Sequence, residues 1–162
     1  MFQKTVGMRQ ASGSPGDFAS ANPHATIASE QEAIVAAVGG VTIGQFCFVK
    51  DGTASGSIPA NLAGSGGVIG FVGRGIFSYQ QVSPNENGVK IIPTGSGVTV
   101  YNSGDFWVAA ESPASVGQNV FAKSTGGSVG FADGDSLTGY VKTGWYVSSA
   151  SDTNGICIIS KR

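Results

Sequence analysis

The chain has 162 residues, and its nine Lys and Arg nearly balance its ten Asp and Glu, giving a net charge of -1. This length suits a single domain. The balanced charge leaves no cationic excess to neutralise a phosphate backbone, so we expect no nucleic-acid partner. The longest apolar stretch, residues 33–41, is far shorter than the roughly 20 residues of a membrane span, so we expect no membrane partner.

The composition points to a fold class and to assembly. The chain has 17 Val and 11 Ile but two Leu, and branched side chains favour strands. Charged residues make up 12% of the chain, about half of the usual share of roughly 25%, which is typical of surfaces that other chains cover. We predict an all-β fold: a single antiparallel β-sandwich or barrel, jelly-roll-like, with an extended N-terminal arm.

The start of the chain differs from the rest. Residues 8–23 show no sustained periodicity and are rich in Pro, Gly and Ser, a composition typical of segments that become ordered on contact. We therefore predict an arm over residues 1–28 and a β-rich body over residues 29–162.

Residues 33–38 fit two structures. The preceding Ser29-Glu30-Gln31-Glu32 matches a capping box, which predicts a short helix ending near Gly39. The same apolar residues also fit a strand, and the sequence does not separate the two.

Short apolar runs between Gly and Ser residues predict the strands. They cover residues 41–50, 68–72, 98–101, 106–110, 116–123, 129–132, 140–147 and 156–160. In the first run, Phe46-Cys47-Phe48-Val49 is apolar at every position, which indicates a central strand covered on both faces.

Asn and Gly tolerate the positive φ of tight turns, and they predict three turns. These lie at residues 102–105, 124–128 and 152–155. The last contains Asn154-Gly155 and predicts that residues 146–147 pair with residues 156–159.

The few metal-binding residue types do not form a site. Cys47 and Cys157 lie inside apolar runs, which favours two buried thiols over a disulfide. The single histidine, His24, lies in the predicted arm, so no His and Cys set with metal-ligand spacing can be assembled. Asp133 and Asp135 fit an ordinary polar turn better than a calcium contact.

Catalytic motifs are no better supported. Residues 126–130 match the nucleophile pattern G-x-S-x-G, but both flanks are predicted strands, whereas that motif joins a strand to a helix. No Gly-rich phosphate loop precedes a predicted helix. We predict no enzymatic activity, no catalytic residue, no metal and no cofactor.

Each of the two tryptophans stands next to another aromatic residue. Trp107 follows Phe106, and Trp145 precedes Tyr146, so one member of each pair should face the core. The other could anchor a protein interface or stack on a sugar ring. The second alternative predicts a carbohydrate-binding β module.

Several segments, in order, resemble the head decoration, or structural cement, proteins of tailed double-stranded DNA bacteriophages. They are residues 15–23, 40–49, 70–74, 104–108 and 116–122. Gln45 stands where this family more usually has a basic residue, and Gly73 replaces a bulkier one.

This resemblance implies a β-rich homotrimer that binds the major capsid protein on the outer surface of the virion after assembly in the host cytoplasm. Such a protein stabilises the head by bridging neighbouring subunits. In the alternative, the carbohydrate-binding module belongs to a phage surface that contacts the host cell. We expect the arm to reach a neighbouring subunit. The residues expected to contact partners are Asp17, Phe18, Asn22, Pro23, Arg74 and Trp107.

Overall fold

A computed structural model describes residues 11–29, 33–75, 83–84 and 90–162, and within these ranges the regular secondary structure is β-strand throughout. The strands are β1 Ala25–Thr26, β2 Val35–Ala36, β3 Val41–Thr42, β4 Phe46–Lys50, β5 Thr53–Ser55, β6 Val68–Val72, β7 Ser83–Pro84, β8 Lys90–Ile92, β9 Val100–Ala109, β10 Asn119–Lys123, β11 Val129–Ala132, β12 Tyr140–Ser149 and β13 Ile156–Lys161.

Most of these strands form one sheet. Among the described residues it contains ten strands in the order β11-β10-β12-β13-β9-β6-β4-β5-β2, with β1 paired to β9. The pairings are antiparallel except that of β2 with β5. A smaller sheet has the order β3-β8-β7. The all-β prediction is confirmed, with the antiparallel-dominated sheet of a sandwich or barrel-like domain.

The large sheet curves until the turn between β10 and β11 meets the region of β4 and β5. The Phe46 amide donates to the Gly127 carbonyl at 2.9 Å, and the Ile58 amide donates to the Ser124 carbonyl at 2.8 Å. An isolated bridge between Ser57 and Thr125 adds to this closure. The curved sheet thereby surrounds one side chain layer, as in a barrel.

That layer, the inner cluster, is dominated by aromatic side chains. Phe46, Phe71, Phe106 and Trp145 are each at most 1% exposed. The ring centroids of Phe71 and Phe106 are 4.9 Å apart, and Trp145 lies 6.0 Å from Phe46. The first pair is tilted and the second is edge to face, and rings in such arrangements gain electrostatic attraction in addition to the burial of their area.

The opposite face of β4 faces a second layer, the outer cluster. Phe46 and Phe48 belong to the inner cluster, whereas Cys47 and Val49 belong to the outer one. The prediction of a central strand covered on both faces is confirmed. Members of the outer cluster from the segments that cover this face include Ile34, Ile43, Ile92 and Val98.

Both cysteines are free and buried, as the sequence predicts. Burial raises the pKa of the Cys47 thiol to about 12. Burial, together with the negative charge of Asp152, raises the pKa of Cys157 to about 12. Both side chains therefore stay protonated near neutral pH and pack as small apolar groups.

The turn predicted at residues 102–105 is wrong, because β9 runs through it without interruption. Tyr101, Phe106 and Val108 all face the inner cluster, so the alternation of side chains changes phase between positions 101 and 106. Gly104 has a φ of +134°, which a residue with a side chain rarely adopts. A Cβ there would also lie 2.9 Å from the Phe106 ring. The glycine marks a change of phase within a strand.

The other local predictions have mixed outcomes. The turns at 124–128 and 152–155 connect β10 to β11 and β12 to β13, and Val147 pairs with Ile159 as predicted. Val35–Ala36 is a strand, which decides between the two alternatives for residues 33–38. The single strand predicted over residues 41–50 is wrong, because a turn at positions 43–45 divides it into β3 and β4.

Candidate partner-binding surface

The described part of the predicted arm, residues 11–28, contacts its own body. The Gly16 amide donates to the Trp107 carbonyl at 2.8 Å, and the Trp107 amide donates to the Asp17 carbonyl at 3.0 Å. On the other side of the arm, the Arg74 amide donates to the Gly16 carbonyl at 2.9 Å. The arm is therefore hydrogen-bonded to β9 and to the continuation of β6 at once, in the manner of an inserted strand.

An ion pair reinforces this insertion. Arg74 Nε lies 2.9 Å from Asp17 Oδ1, and the arginine side chain is 13% exposed against 39% for the aspartate. Arg74 Nη2 also donates to the Pro15 carbonyl at 3.4 Å. Nε itself makes no hydrogen bond to the described residues, so its contact with Asp17 is electrostatic without hydrogen-bond geometry.

Phe18 joins the arm to the aromatic core from outside. Its ring centroid is 4.9 Å from that of Phe106, 5.3 Å from Tyr101 and 4.5 Å from His24. Phe18 is nevertheless 42% exposed. The ring thus rests on the body and presents apolar surface to the outside.

Asp105 connects three parts of the chain. Its carboxylate accepts hydrogen bonds from Ser20 Oγ and Asn22 Nδ2, both at 2.6 Å, and from Arg162 Nη1 at 2.8 Å. Burial alone would raise the pKa of Asp105, which is 6% exposed. Hydrogen bonds from Ser160, Ser20, Asn22 and Arg162 outweigh that effect and lower the pKa to about 2. The Asp105 carboxylate is therefore charged near neutral pH, and it is this charged form that holds the arm.

The two tryptophans occupy different environments. Trp145 is 1% exposed and lies in the inner cluster, as does Phe106, so one member of each aromatic pair is core as predicted. Trp107 is half-buried, and a Cβ on Gly13 would overlap its indole ring. The arm thus covers part of Trp107, and Trp145 offers no open face for stacking on a sugar.

An open groove of about 390 Å³ lies beside the inserted arm. Its lining carries both signs of charge, with Arg74 and Lys90 against Glu111. The remaining lining residues are Ser14, Pro15, Thr42, Ile43, Gly44, Gln45, Ala109, Ser128 and Val129. The groove adjoins the arm residues and Arg74, so it extends the same surface.

Five of the six residues predicted to contact partners belong to this one region. Asp17, Phe18 and Asn22 contact the body as described, and Arg74 and Trp107 are what the arm contacts. The sixth, Pro23, follows Asn22 and is exposed. Their binding to another protein stays a prediction.

Asp105 and Arg162 are functional residues that the sequence does not reveal. Their ion pair joins positions 57 residues apart, and each is flanked by residues with ordinary strand or turn character. Since no local spacing marks such a pair, only the folded sheet shows it.

The described residues contain no group of three or more His, Cys, Asp or Glu side chains placed to hold a metal ion. In the turn with Asp133, the carboxylate of Asp135 forms an ion pair with Lys142 at 2.5 Å. Among the same residues, none belongs to a helix of the length and apolar character that crossing a membrane requires.

Comparisons with known proteins define the class. The family described as XM1 gp53 minor capsid protein matches residues 2–161, so this chain belongs to that family of phage minor capsid proteins. Its fold also resembles a chain in the solved structure titled "The capsid of Myoviridae Phage XM1", with a TM-score of 0.61 and 16% identity. The match covers 98% of this chain and 96% of the other. No curated protein matches the sequence.

Membership of this family confirms the predicted resemblance at the level of a phage capsid protein. The protein has a structural role in the phage capsid and belongs to the virion, where it associates with other capsid proteins. Structural proteins of this kind are in general not enzymes.

Proposed function

We propose that this protein is a decoration, or cement, protein. It binds the outer surface of the phage head as a homotrimer and bridges neighbouring subunits of the major capsid protein. Packaged DNA presses outward on the shell, so a protein that contacts two subunits adds interactions that are lost only when those subunits separate.

The observation that carries the proposal is the exposed strip along the inserted arm. Phe18 and Asp17 are 42% and 39% exposed, and Asn22 and Pro23 are exposed. The backbone at positions 16, 17 and 19 is hydrogen-bonded to β9, and the Asn22 side chain donates to Asp105. A surface that is rigid before binding avoids most of the ordering cost of association. The strip therefore offers apolar and polar contacts at a low entropic cost.

The low charge of the chain agrees with this role. Charged residues make up 12% of the sequence, and depletion of charge is typical of the central part of protein interfaces. Each contact can be modest, about 800 Å² per partner, because the first contact makes the next one intramolecular. Several weak contacts then hold the protein on the shell.

The function is tested on phage heads prepared with and without this protein. Depleted heads should release their DNA at a lower temperature and after milder osmotic shock, and adding the purified protein should restore resistance. Images of the two preparations should differ by density on the outer surface. Equal resistance of the two preparations, or density inside the shell, would contradict the proposal.

The arm surface has its own test. Phe18→Ser removes the exposed ring, and Pro23→Ser changes an exposed position of the same strip. We expect both variants to bind depleted heads more weakly, by about tenfold for Phe18→Ser, because burial of a large apolar side chain contributes about 1.5 to 3 kcal/mol. Asp135→Asn lies outside the strip and serves as the control.

Light scattering of the protein released from heads should give the mass of three copies.

A further inference from the structure

The open groove beside the inserted arm is bounded on one bank by the end of β9. The Ala110 amide donates to the Gly155 carbonyl on the β13 side, and the backbone groups of successive strand residues point to alternate sides. The Trp107 amide and carbonyl therefore point to the other side, where they pair with the arm. The Ala109 amide and carbonyl point the same way, toward the groove, and no described residue forms a hydrogen bond with them. The arm thus leaves the last position of β9 unpaired.

The other bank of the groove is the free edge of β11. This strand ends the large sheet, and among the described strands it pairs with β10 alone. The Lys123 amide donates to the Ser128 carbonyl, so the same alternation directs the amides and carbonyls of Val129 and Phe131 away from β10. These groups form no hydrogen bond with the described residues either. Both banks therefore carry strand-edge groups that lack a partner within the described chain, a costly arrangement for a buried residue such as Val129.

An extended peptide is the ligand that suits such banks. Unpaired amides and carbonyls at a strand edge form hydrogen bonds with an added strand, whose alternate side chains contact the neighbouring surface. The lining carries both signs of charge, so charge does not select the occupant. Its apolar members include Pro15, Ile43 and Val129, which favour a strand with one apolar face.

Residues 1–10 lie outside the described part of the chain, and their sequence has this alternation. From residue 2 to residue 9, the even positions hold Phe2, Lys4, Val6 and Met8, whereas the odd positions hold only polar residues and glycine. A period of two with one mainly apolar face is typical of a strand. An extended segment spans about 3.3 Å per residue, so ten residues can reach a neighbouring molecule.

The path of the chain leads this segment away from its own groove. Ser12 donates a hydrogen bond to the Asp152 carboxylate, which lies in the turn before β13, on the far side of β9 from the groove. Gly13 then lies against the Trp107 ring on the outer face of β9, and the arm continues on the groove side. The preceding segment therefore starts from the β13 side and would have to cross β9 a second time to enter the groove of the same molecule. The groove of a second copy presents no such obstacle.

We propose that residues 1–10 of one copy enter this groove of a second copy and add a strand that is hydrogen-bonded to Ala109. This inference rests on the proposed function, in which the protein is a homotrimer, and specifies the contact that holds the three copies together. The segment and the groove are different surfaces of one molecule, so the contact is heterologous and closes into a ring. Each copy gives one strand and receives one, which leaves no groove edge exposed to unspecific pairing.

The experiment uses the full chain, with a photoreactive phenylalanine analogue in place of Phe2. Equal amounts of isotopically light and heavy protein are unfolded in urea and refolded together, so that copies of both masses mix. The mixture is irradiated in solution at high concentration and after binding to depleted heads. Mass spectrometry should find crosslinks between residues 1–10 and the groove residues near Ala109 that join a light peptide to a heavy one, because the groove belongs to a second copy.

Two variants at one position test the strand edge itself. Ala109→Pro removes the amide that points into the groove, whereas the hydrogen bonds from β9 to β13 come from neighbouring positions. We expect this change to lower the yield of the mixed crosslink and the association of the copies in sedimentation, each by about tenfold. Ala109→Ser keeps the amide and is the matched control, so it should behave as the wild type does. Thermal unfolding of each variant checks that the fold is retained.

A measurement on the wild type does not depend on any variant. Hydrogen exchange at the Ala109 amide should be fast in dilute protein and should slow when the copies associate, because the added strand accepts its hydrogen bond. Exchange that stays fast in the associated protein would overturn the inference.

The crosslinks separate the other occupants. Crosslinks that join only peptides of equal mass would assign the segment to its own groove, and crosslinks to the shell protein would assign it to the capsid. Either result overturns the inference, as does a mixed crosslink that Ala109→Pro leaves unchanged or the absence of any mixed crosslink from both samples. If the mixed crosslink forms but the protein does not protect heads, the head-stabilising function fails and this contact stands. If heads are protected without it, the inference fails alone.

Discussion

Two neighbouring regions along β9 are stabilised by different forces. One is the inner cluster, and the other is the set of contacts that hold the arm on the body. Phe106 lies wholly in the inner cluster, where the stabilisation comes from burying apolar area. The preceding residue, Asp105, fixes the arm through polar contacts with Ser20, Asn22 and Arg162. One strand thus carries an apolar contact and a charged contact at successive positions.

This difference separates the stability of the body from the attachment of the arm. Apolar burial does not depend on protonation, whereas the Asp105 contacts need a charged carboxylate. The arm also lacks a continuous apolar face, since Phe18 is its main contact with the aromatic rings. The arm can therefore detach under conditions that leave the β body folded, and three predictions address this.

The largest effect is expected in the inner cluster. Trp145→Ala removes a ring that lies about 6 Å from three others, namely Phe46, Phe71 and Phe106. The cavity should lower the free energy of unfolding by about 3 to 5 kcal/mol, measured by urea denaturation. A loss below about 1 kcal/mol would mean that the cluster does not dominate the stability of the body.

A smaller, local effect is expected at Asp105. Asp105→Asn ends the ion pair with Arg162 and offers a donor where Ser20 and Asn22 now donate. We expect the arm to be destabilised by about 2 kcal/mol, seen as faster hydrogen exchange at the Ala19 and Gly16 amides. Asp135→Asn, which removes an exposed ion pair, is the control and should change neither amide. Equal exchange in all three proteins would show that the carboxylate does not hold the arm.

The smallest expected effect is a loss of arm stability at acidic pH. The pKa of Asp105 is about 2 in the folded protein, against an ordinary value of 3.8, so this group stabilises the fold fully above pH 4. Its contribution is lost as the pH falls from about 4 to about 2. The difference in arm stability between wild type and Asp105→Asn should therefore shrink over this range, measured by hydrogen exchange. A constant difference down to pH 2 would contradict the assignment.

The sequence predicts those parts of the fold that depend on neighbouring residues. The turns at 124–128 and 152–155 follow from Gly and Asn between apolar runs, and both connect adjacent strands. The same signal at 102–105 fails, because Gly104 serves a change of phase in a strand whose partners come from distant parts of the chain. Local chemistry does not distinguish these two uses of glycine.

The candidate surface is predicted less completely for a related reason. The arm binds β9 through backbone groups, which every residue has, so its docking position leaves no pattern in the sequence. The segments that carry the family resemblance contain Asp17, Arg74 and Trp107, and the fold brings these three together. The role of Asp105 needed the structure, because its partners Ser20, Asn22 and Arg162 come together only in the folded chain.

The closure of the large sheet has a mechanical consequence. A load applied to one edge strand can reach the rest of the sheet by two routes, through the strand pairings in their order and through the hydrogen bonds that join Phe46 to Gly127 and Ile58 to Ser124. An open sheet of the same strands has the first route alone, so the closed sheet stretches less under the same load.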